Sequence, residues 1–277
     1  MFMTDFFKII LIGIIEGITE WLPVSSTGHM LLFDAFLPLD MSESFKEMFF
    51  VVIQLGAVMA VVTVFRRKML PVTVYNKKVT VERQSVEMWL KVAVACVPSG
   101  IAGLLFDDWL EENFGTPLTI AAMLIIYGVL FILVENRNSK RPPKIFSLQG
   151  IDFKTAVLIG LFQVLSLVPG TSRSGATIVG ALLLGVSRTA AAEFTFFLAV
   201  PTMLGASAFK ILKFGFDFSQ NELVSLIIGM AVAYAVSMLA INFLMNYVRR
   251  KDFKAFGIYR IILGTAILLL TAKKMNP

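Results

Sequence analysis

Apolar runs of roughly 18 to 20 residues recur along this chain, and no other feature limits its fold so severely. A helix of that length crosses a hydrocarbon layer of about 30 Å. In that solvent every backbone N–H and C=O must find its partner inside the protein. With 57% hydrophobic and 16% charged residues, the composition agrees with a polytopic membrane protein and excludes an ordinary soluble domain. The net charge of +6 sits in short Lys/Arg clusters between apolar runs, so it reads as membrane orientation and not as a nucleic-acid footprint. Cys96 is the single cysteine, which rules out an internal disulfide. The first apolar run contains Glu16 and Glu20 and lacks a small-residue cleavage pattern, so a removable signal peptide is not expected.

The runs at 48–65, 86–106, 117–134, 194–212, 223–247 and 256–272 predict six spans. Arg66-Arg67-Lys68, the group Arg137, Lys140, Arg141 and Lys144, and Arg249-Arg250-Lys251 put their loops on the cytoplasmic side. Asp107-Asp108-Trp109-Leu110-Glu111-Glu112 reads as a solvated loop facing outside, while Lys210, Lys213, Lys273 and Lys274 fit the charge rule poorly. Two further stretches, 5–38 and 154–186, hold short apolar pieces parted by a polar turn. Broken backbone at membrane depth is tolerated only against protein or a wet cavity, so each predicts a re-entrant helical hairpin. A hairpin plus three spans, occurring twice, makes the second unit inverted relative to the first. The expected fold is therefore an all-α integral membrane protein with an inverted-topology repeat, residues 1–134 and 135–277, forming one membrane domain.

The first polar turn reads Glu16-Gly17-Ile18-Thr19-Glu20-Trp21-Leu22-Pro23-Val24-Ser25-Ser26-Thr27-Gly28-His29 and includes the only histidine. Ionisable groups in such a run cost about 2.5–3.5 kcal/mol each to insert, which points to function. Glu16 and Glu20 share a helical face one turn apart and can hold a divalent cation or share a proton. Pro23 stops that helix, and Ser25-Ser26-Thr27-Gly28 offers hydroxyls and free N–H groups suited to an anion. A uniform shift carrying Gly13 onto Gly160 carries Glu16 onto Gln163, Ser25 onto Ser172, Ser26 onto Arg173, Thr27 onto Ser174 and Gly28 onto Gly175. The second turn, Pro169-Gly170-Thr171-Ser172-Arg173-Ser174-Gly175-Ala176-Thr177, thus supplies a guanidinium where the first supplies carboxylates and an imidazole.

Hairpins entering from opposite faces can bring these tips together near the midplane. An arginine fork, hydroxyls, turn N–H groups and a carboxylate pair able to bind Mg²⁺ or Ca²⁺ describe a phosphate or diphosphate site. Phosphoanhydride hydrolysis needs charge neutralised on the transferred group, an in-line nucleophile and proton transfer. Ser26, Thr27 or His29 could attack, and the favoured reading is Ser26 with His29 assisting, since three residues on one helix share a face. Structural roles compete: His29 as a core histidine, Arg173 as half of a buried ion pair, and Ser25, Ser172 and Ser174 as helix caps.

Both tips closely resemble those of the undecaprenyl-diphosphate phosphatase family associated with bacitracin resistance. The likeness continues through Glu193-Phe194 and Ala199-Val200-Pro201 and covers essentially the whole chain. The resemblance implies a multi-pass hydrolase of the bacterial plasma membrane, with six spans, two re-entrant segments and a site opening toward the outer face. It would remove the terminal phosphate of undecaprenyl diphosphate with Mg²⁺ or Ca²⁺, recycling the lipid carrier for peptidoglycan and cell-wall synthesis. Carried over position by position, Glu16, Glu20, Ser26, His29 and Arg173 are catalytic, with Glu16 and Glu20 on the metal. Ser25, Thr27, Ser172, Ser174 and Thr177 bind phosphate. Trp21 stands where the family pattern has phenylalanine, a change expected to alter bulk and not chemistry. A homodimer is left open.

Membrane phosphatases resembling phosphatidic acid phosphatases use two histidines, and this chain has one. The alternative from another class is a transporter or flippase for a polyprenyl phosphate, because inverted repeats with broken helices are typical of carriers. The cluster of carboxylates, hydroxyls and His29 favours the enzyme, since a carrier needs anion recognition but no proton-transfer group.

Overall fold

A computed structural model describes residues 2–75 and 78–275, with side chains described for 5–72 and 81–273. The polar turns divide it. The first two helices, α1 (Phe2–Thr19) and α2 (Ser26–Phe36), meet at the first turn. Next come α3 (Glu43–Val52) and α4 (Gln54–Met69), which together run almost without interruption, then α5 (Arg83–Phe114) and α6 (Pro117–Asn138). The second turn lies between α7 (Phe153–Val164) and α8 (Arg173–Leu183), and α9 (Arg188–Phe214), α10 (Gln220–Val248) and α11 (Lys254–Met275) follow. Among the described residues six helices are long and apolar enough to cross a membrane: α3–α4, α5, α6, α9, α10 and α11. The helix α1 is longer than its apolar piece suggests, but it carries Asp5, Lys8 and Glu16.

Helix ends are set by local chemistry. Asp152, Ser187 and Ser219 each accept an N–H from the first turn of α7, α9 and α10, and Thr116 does the same for α6 with Pro117 behind it. Two expectations change. The stretch Asp107–Glu112, read above as a loop, belongs to the last turns of α5, where Asp107 and Glu111 face Lys210 (3.7 and 3.4 Å) and Asp108 meets Lys213 (2.6 Å). Acidic and basic groups on neighbouring helix ends stay helical because they answer each other, which accounts for Lys210 and Lys213 among the four exceptional lysines. Between α4 and α5 a hairpin forms, β1 (Val72–Tyr75) against β2 (Lys78–Val81), antiparallel, in which alternating valine and threonine suit paired strands.

Packing relies on small residues, as expected where lipid supplies no hydrophobic drive. At Gly128 a Cβ would fall 2.6 Å from the carbonyl oxygen of Gly257, and at Gly264 2.7 Å from that of Ala121, so α6 and α11 lie antiparallel in near-backbone contact. Gly13 seats α1 against Val232 of α10, and Gly160 seats α7 against Ala95 of α5. One end of the bundle gathers the basic clusters. There Lys68 pairs with Glu193 (2.8 Å), and Arg188 binds Glu135 (2.6 Å), whose other oxygen accepts the Phe253 N–H. The acidic end of α5 lies at the opposite end, beside the end of α9.

Candidate active site

Both polar turns fold the same way. Ser25 has φ 71° and ψ 103°, and Ser172 has φ 69° and ψ 123°, a region that L-residues other than glycine rarely occupy. Each costs on the order of 1–3 kcal/mol of strain. Each serine also caps its helix, accepting from Gly28 N (3.4 Å) or Gly175 N (3.2 Å). The capping reading of Ser25 and Ser172 therefore describes what their side chains do here.

The two tips meet. Arg173 Nη2 donates to Glu20 Oε1 at 3.1 Å, and its Nη1 to the Thr195 carbonyl at 3.0 Å. The other Glu20 oxygen accepts from Ser26 Oγ at 3.0 Å, while Ser174 Oγ donates to the Glu20 carbonyl at 3.2 Å. One carboxylate thus joins the hydroxyl of the first tip to the guanidinium of the second. Trp21 is fully buried, edge-on to Phe196, with its ring 6.0 Å from the Arg173 guanidinium. Its aromatic face supports the cation, so the tryptophan contributes more than bulk.

Four buried polar atoms at the tips, Glu16 Oε1, Trp21 Nε1, Thr171 Oγ1 and Arg173 Nε, have no hydrogen-bond partner among the described residues. Glu16 and Arg173 thus each keep one polar atom open inside the site.

His29 is held at both ring nitrogens. Its Nδ1 lies 2.7 Å from the Ser25 carbonyl oxygen, which can only accept, so Nδ1 carries the proton. Nε2 is hydrogen-bonded to Tyr259 Oη at 2.8 Å, with the two rings stacked at 5.6 Å. The imidazole is thus held between the backbone of its own tip and a half-exposed phenol. Ser26 is paired with Glu20, and the ring nitrogens of His29 are taken by Ser25 and Tyr259. Thr27 is exposed at the first turn of α2. Thr177 is completely buried, donating to the Arg173 carbonyl (3.0 Å) and sharing a 2.9 Å bond with Thr195 Oγ1. Thr177 and Ser174 are both buried, with their hydroxyls hydrogen-bonded to the backbone of the tips.

The residue that sequence reasoning missed is Arg260. It is completely buried on α11 and donates to Pro23 O (3.2 Å) from Nη1, and to Gly170 O (3.0 Å) and Thr171 O (2.9 Å) from Nη2. One guanidinium therefore clasps the backbones of both tips. Tyr259 and Thr195 escaped notice as well. The signal for Arg260 was present, a lone arginine within an apolar run, and it is the same signal that marks Arg173.

Comparison with known proteins agrees with this arrangement. Residues 9–266 match the family described as bacitracin resistance protein BacA. A relative from Enterococcus faecalis named undecaprenyl-diphosphatase is 65% identical over 97% of this chain and 98% of its own. Proteins of the same name from Desulfitobacterium hafniense (57% identical, 97% of each chain) and Acetivibrio thermocellus (52%, covering 96% and 98%) align along equally full lengths. On the strength of a family match that spans nearly all of it, this chain belongs to the BacA bacitracin-resistance family.

Proposed function

We propose that this protein hydrolyses undecaprenyl diphosphate to undecaprenyl phosphate and inorganic phosphate in the bacterial plasma membrane, so returning the carrier to cell-wall synthesis. The observation that carries the reading is the Glu20 carboxylate holding Arg173 of one tip and Ser26 of the other. A terminal phosphate offers a guanidinium stronger, bidentate bonds than one carboxylate oxygen does. A bound diphosphate therefore draws Arg173 away, engages its unanswered Nε–H, and leaves Glu20 free to act as a base. Ser26 Oγ attacks the terminal phosphorus as its proton passes to Glu20, and the bond from that phosphorus to the bridging oxygen breaks. Undecaprenyl phosphate leaves with the bridging oxygen and its electron pair. Nε2 of His29, released from Tyr259, then takes a proton from the water that cleaves the phosphoserine; Glu20 returns its proton to Ser26 Oγ, and His29 passes its proton to the departing phosphate. Thr27, exposed on the first turn of α2, and the hydroxyls of Ser25 and Ser172 line the phosphate path.

Glu16 and Glu20 suit a hard cation that takes one or two carboxylates and fills its other positions with water and phosphate oxygens, as Mg²⁺ does, with Ca²⁺ as the larger candidate. No third His, Cys, Asp or Glu joins them among the described residues. Such an ion would neutralise charge on the diphosphate. The inverted-repeat plan, with halves 1–134 and 135–277 and re-entrant pairs α1–α2 and α7–α8, belongs to the same proposal. It is supported by the antiparallel course of α6 and α11, the third long helices of the two halves, and by the exchanged packing of α1 on α10 and α7 on α5. The basic end of the bundle is assigned to the cytoplasm by its charge, and the opening toward the outer face follows from the family likeness. Every residue in the scheme comes from one chain, so a homodimer is not required.

Phosphate release by purified protein in detergent tests the reading. Wild type should turn over, and Arg173→Ala and His29→Ala should be slower by orders of magnitude. Background release by wild type, alongside movement of polyprenyl phosphate across vesicles, would transfer the chain to the carriers. Activity that resists chelators but disappears in Glu20→Ala would remove the cation and keep Glu20 as the base.

A further inference from the structure

Away from the tips, the basic end of the bundle contains a cavity of about 620 Å³ between α4 and α10. We propose that it binds the headgroup of an anionic phospholipid. Arg66, Arg67 and Lys68 from the end of α4 and Arg249 from the end of α10 line it. Lys68 is committed to Glu193, with Nζ 2.8 and 2.9 Å from its two carboxylate oxygens. Arg66, Arg67 and Arg249 are exposed and have no ion-pair partner among the described residues. Three cations held around one concavity repel each other unless an anion sits among them.

The walls distinguish a lipid from a free anion. The cavity lies between two membrane-crossing helices, and its sides are built from Phe65, Met238 and Met245. One turn deeper, Tyr234 Oη donates to Thr63 Oγ1 (3.3 Å) and ties the two helices together. Beside it Met59 on α4 and Leu239 and Phe243 on α10 expose apolar surface. A phosphodiester among the arginines can therefore leave its acyl chains on that surface. A dissolved phosphate would gain nothing from it. Asn246 adds an exposed carboxamide at the height of the headgroup, suited to the hydroxyls of a glycerol. Basic clefts between spanning helices on the cytoplasmic side recognise anionic headgroups through the same combination of charge and apolar wall.

The test is native mass spectrometry of the full chain released from phosphatidylcholine nanodiscs containing phosphatidylglycerol. Wild type should retain phosphatidylglycerol in preference to phosphatidylcholine. The triple variant Arg66→Gln/Arg67→Gln/Arg249→Gln should retain about 10- to 100-fold less, while releasing phosphate normally in phosphatidylcholine alone. Arg249→Gln by itself, a milder change at a helix end, should show a partial loss and keeps the test decisive if the triple variant misfolds. Lys140→Gln/Arg141→Gln, at a second basic cavity lined by 137–144 and 182–189, should leave retention unchanged. Equal retention of both lipids by wild type, unchanged retention in the triple variant, or an equal loss in the 140/141 control would overturn the proposal. Displacement of the lipid by millimolar inorganic phosphate would reassign the cavity to a free anion.

Discussion

The two tips have one backbone and two characters. Both place a serine at φ near 70°, both cap an eleven-residue helix with it, and both are gripped by Arg260. Around the second, the hydroxyls of Ser172, Ser174 and Thr177 are engaged by protein, and Ser174 through Leu182 are buried without interruption. The first leaves Thr27 exposed and Ser26 and His29 half-buried. The second tip is thus an anchor that presents one guanidinium, and the first is the edge at which chemistry can occur. A strained turn repeated in both tips gives position, and the side chains placed on it set what each tip presents.

Arg173→Ala should have the largest effect, because it removes the second tip's whole contribution. Phosphate release should fall about 10³-fold, the scale of losing a preorganised charged donor. A fall under tenfold would mean that the first tip works alone. Ser26→Ala and His29→Ala should each lower kcat about 10²-fold or more with little change in thermal stability. If Ser26→Ala retains full rate while His29→Ala is dead, the imidazole and not the hydroxyl attacks. Thr177→Val removes a buried donor from the anchor and should cost about 1–3 kcal/mol of stability, read as a lower Tm, with turnover per folded molecule nearly intact. Its counterpart Thr27→Val should do the reverse, losing a few-fold in rate and nothing in Tm. Smallest of all, Ser25→Gly and Ser172→Gly trade a cap for relief of strain, and both should shift stability by only about 0.5 kcal/mol. Unequal shifts would show that the shared backbone is not equally loaded.

Much of this was legible in the sequence, because a membrane makes polar residues conspicuous. Glu20, Ser26, His29 and Arg173 stand out where apolar residues are expected, and six spans follow from run length. What escaped was pairing. Spacing along α2 joins Ser26 to His29, but the helix turns His29 toward Tyr259 on α11, a partner 230 residues away, and gives Ser26 to Glu20. The end of α5 was misread because its acidic turns are helical only in the company of Lys210 and Lys213. Trp21 appeared as a neutral exchange because its role depends on Arg173 lying over its ring. Local pattern carries propensity and burial, while contacts between the ends of the chain have to be seen.

Arg260 has a consequence for how the molecule is made. All the proposed reactive groups are translated by residue 173, yet the clasp that aligns them, and the phenol that faces His29, arrive only with the final helix. A chain stalled on the ribosome before that point would hold the full set of reactive side chains, unaligned and silent toward the lipids around it.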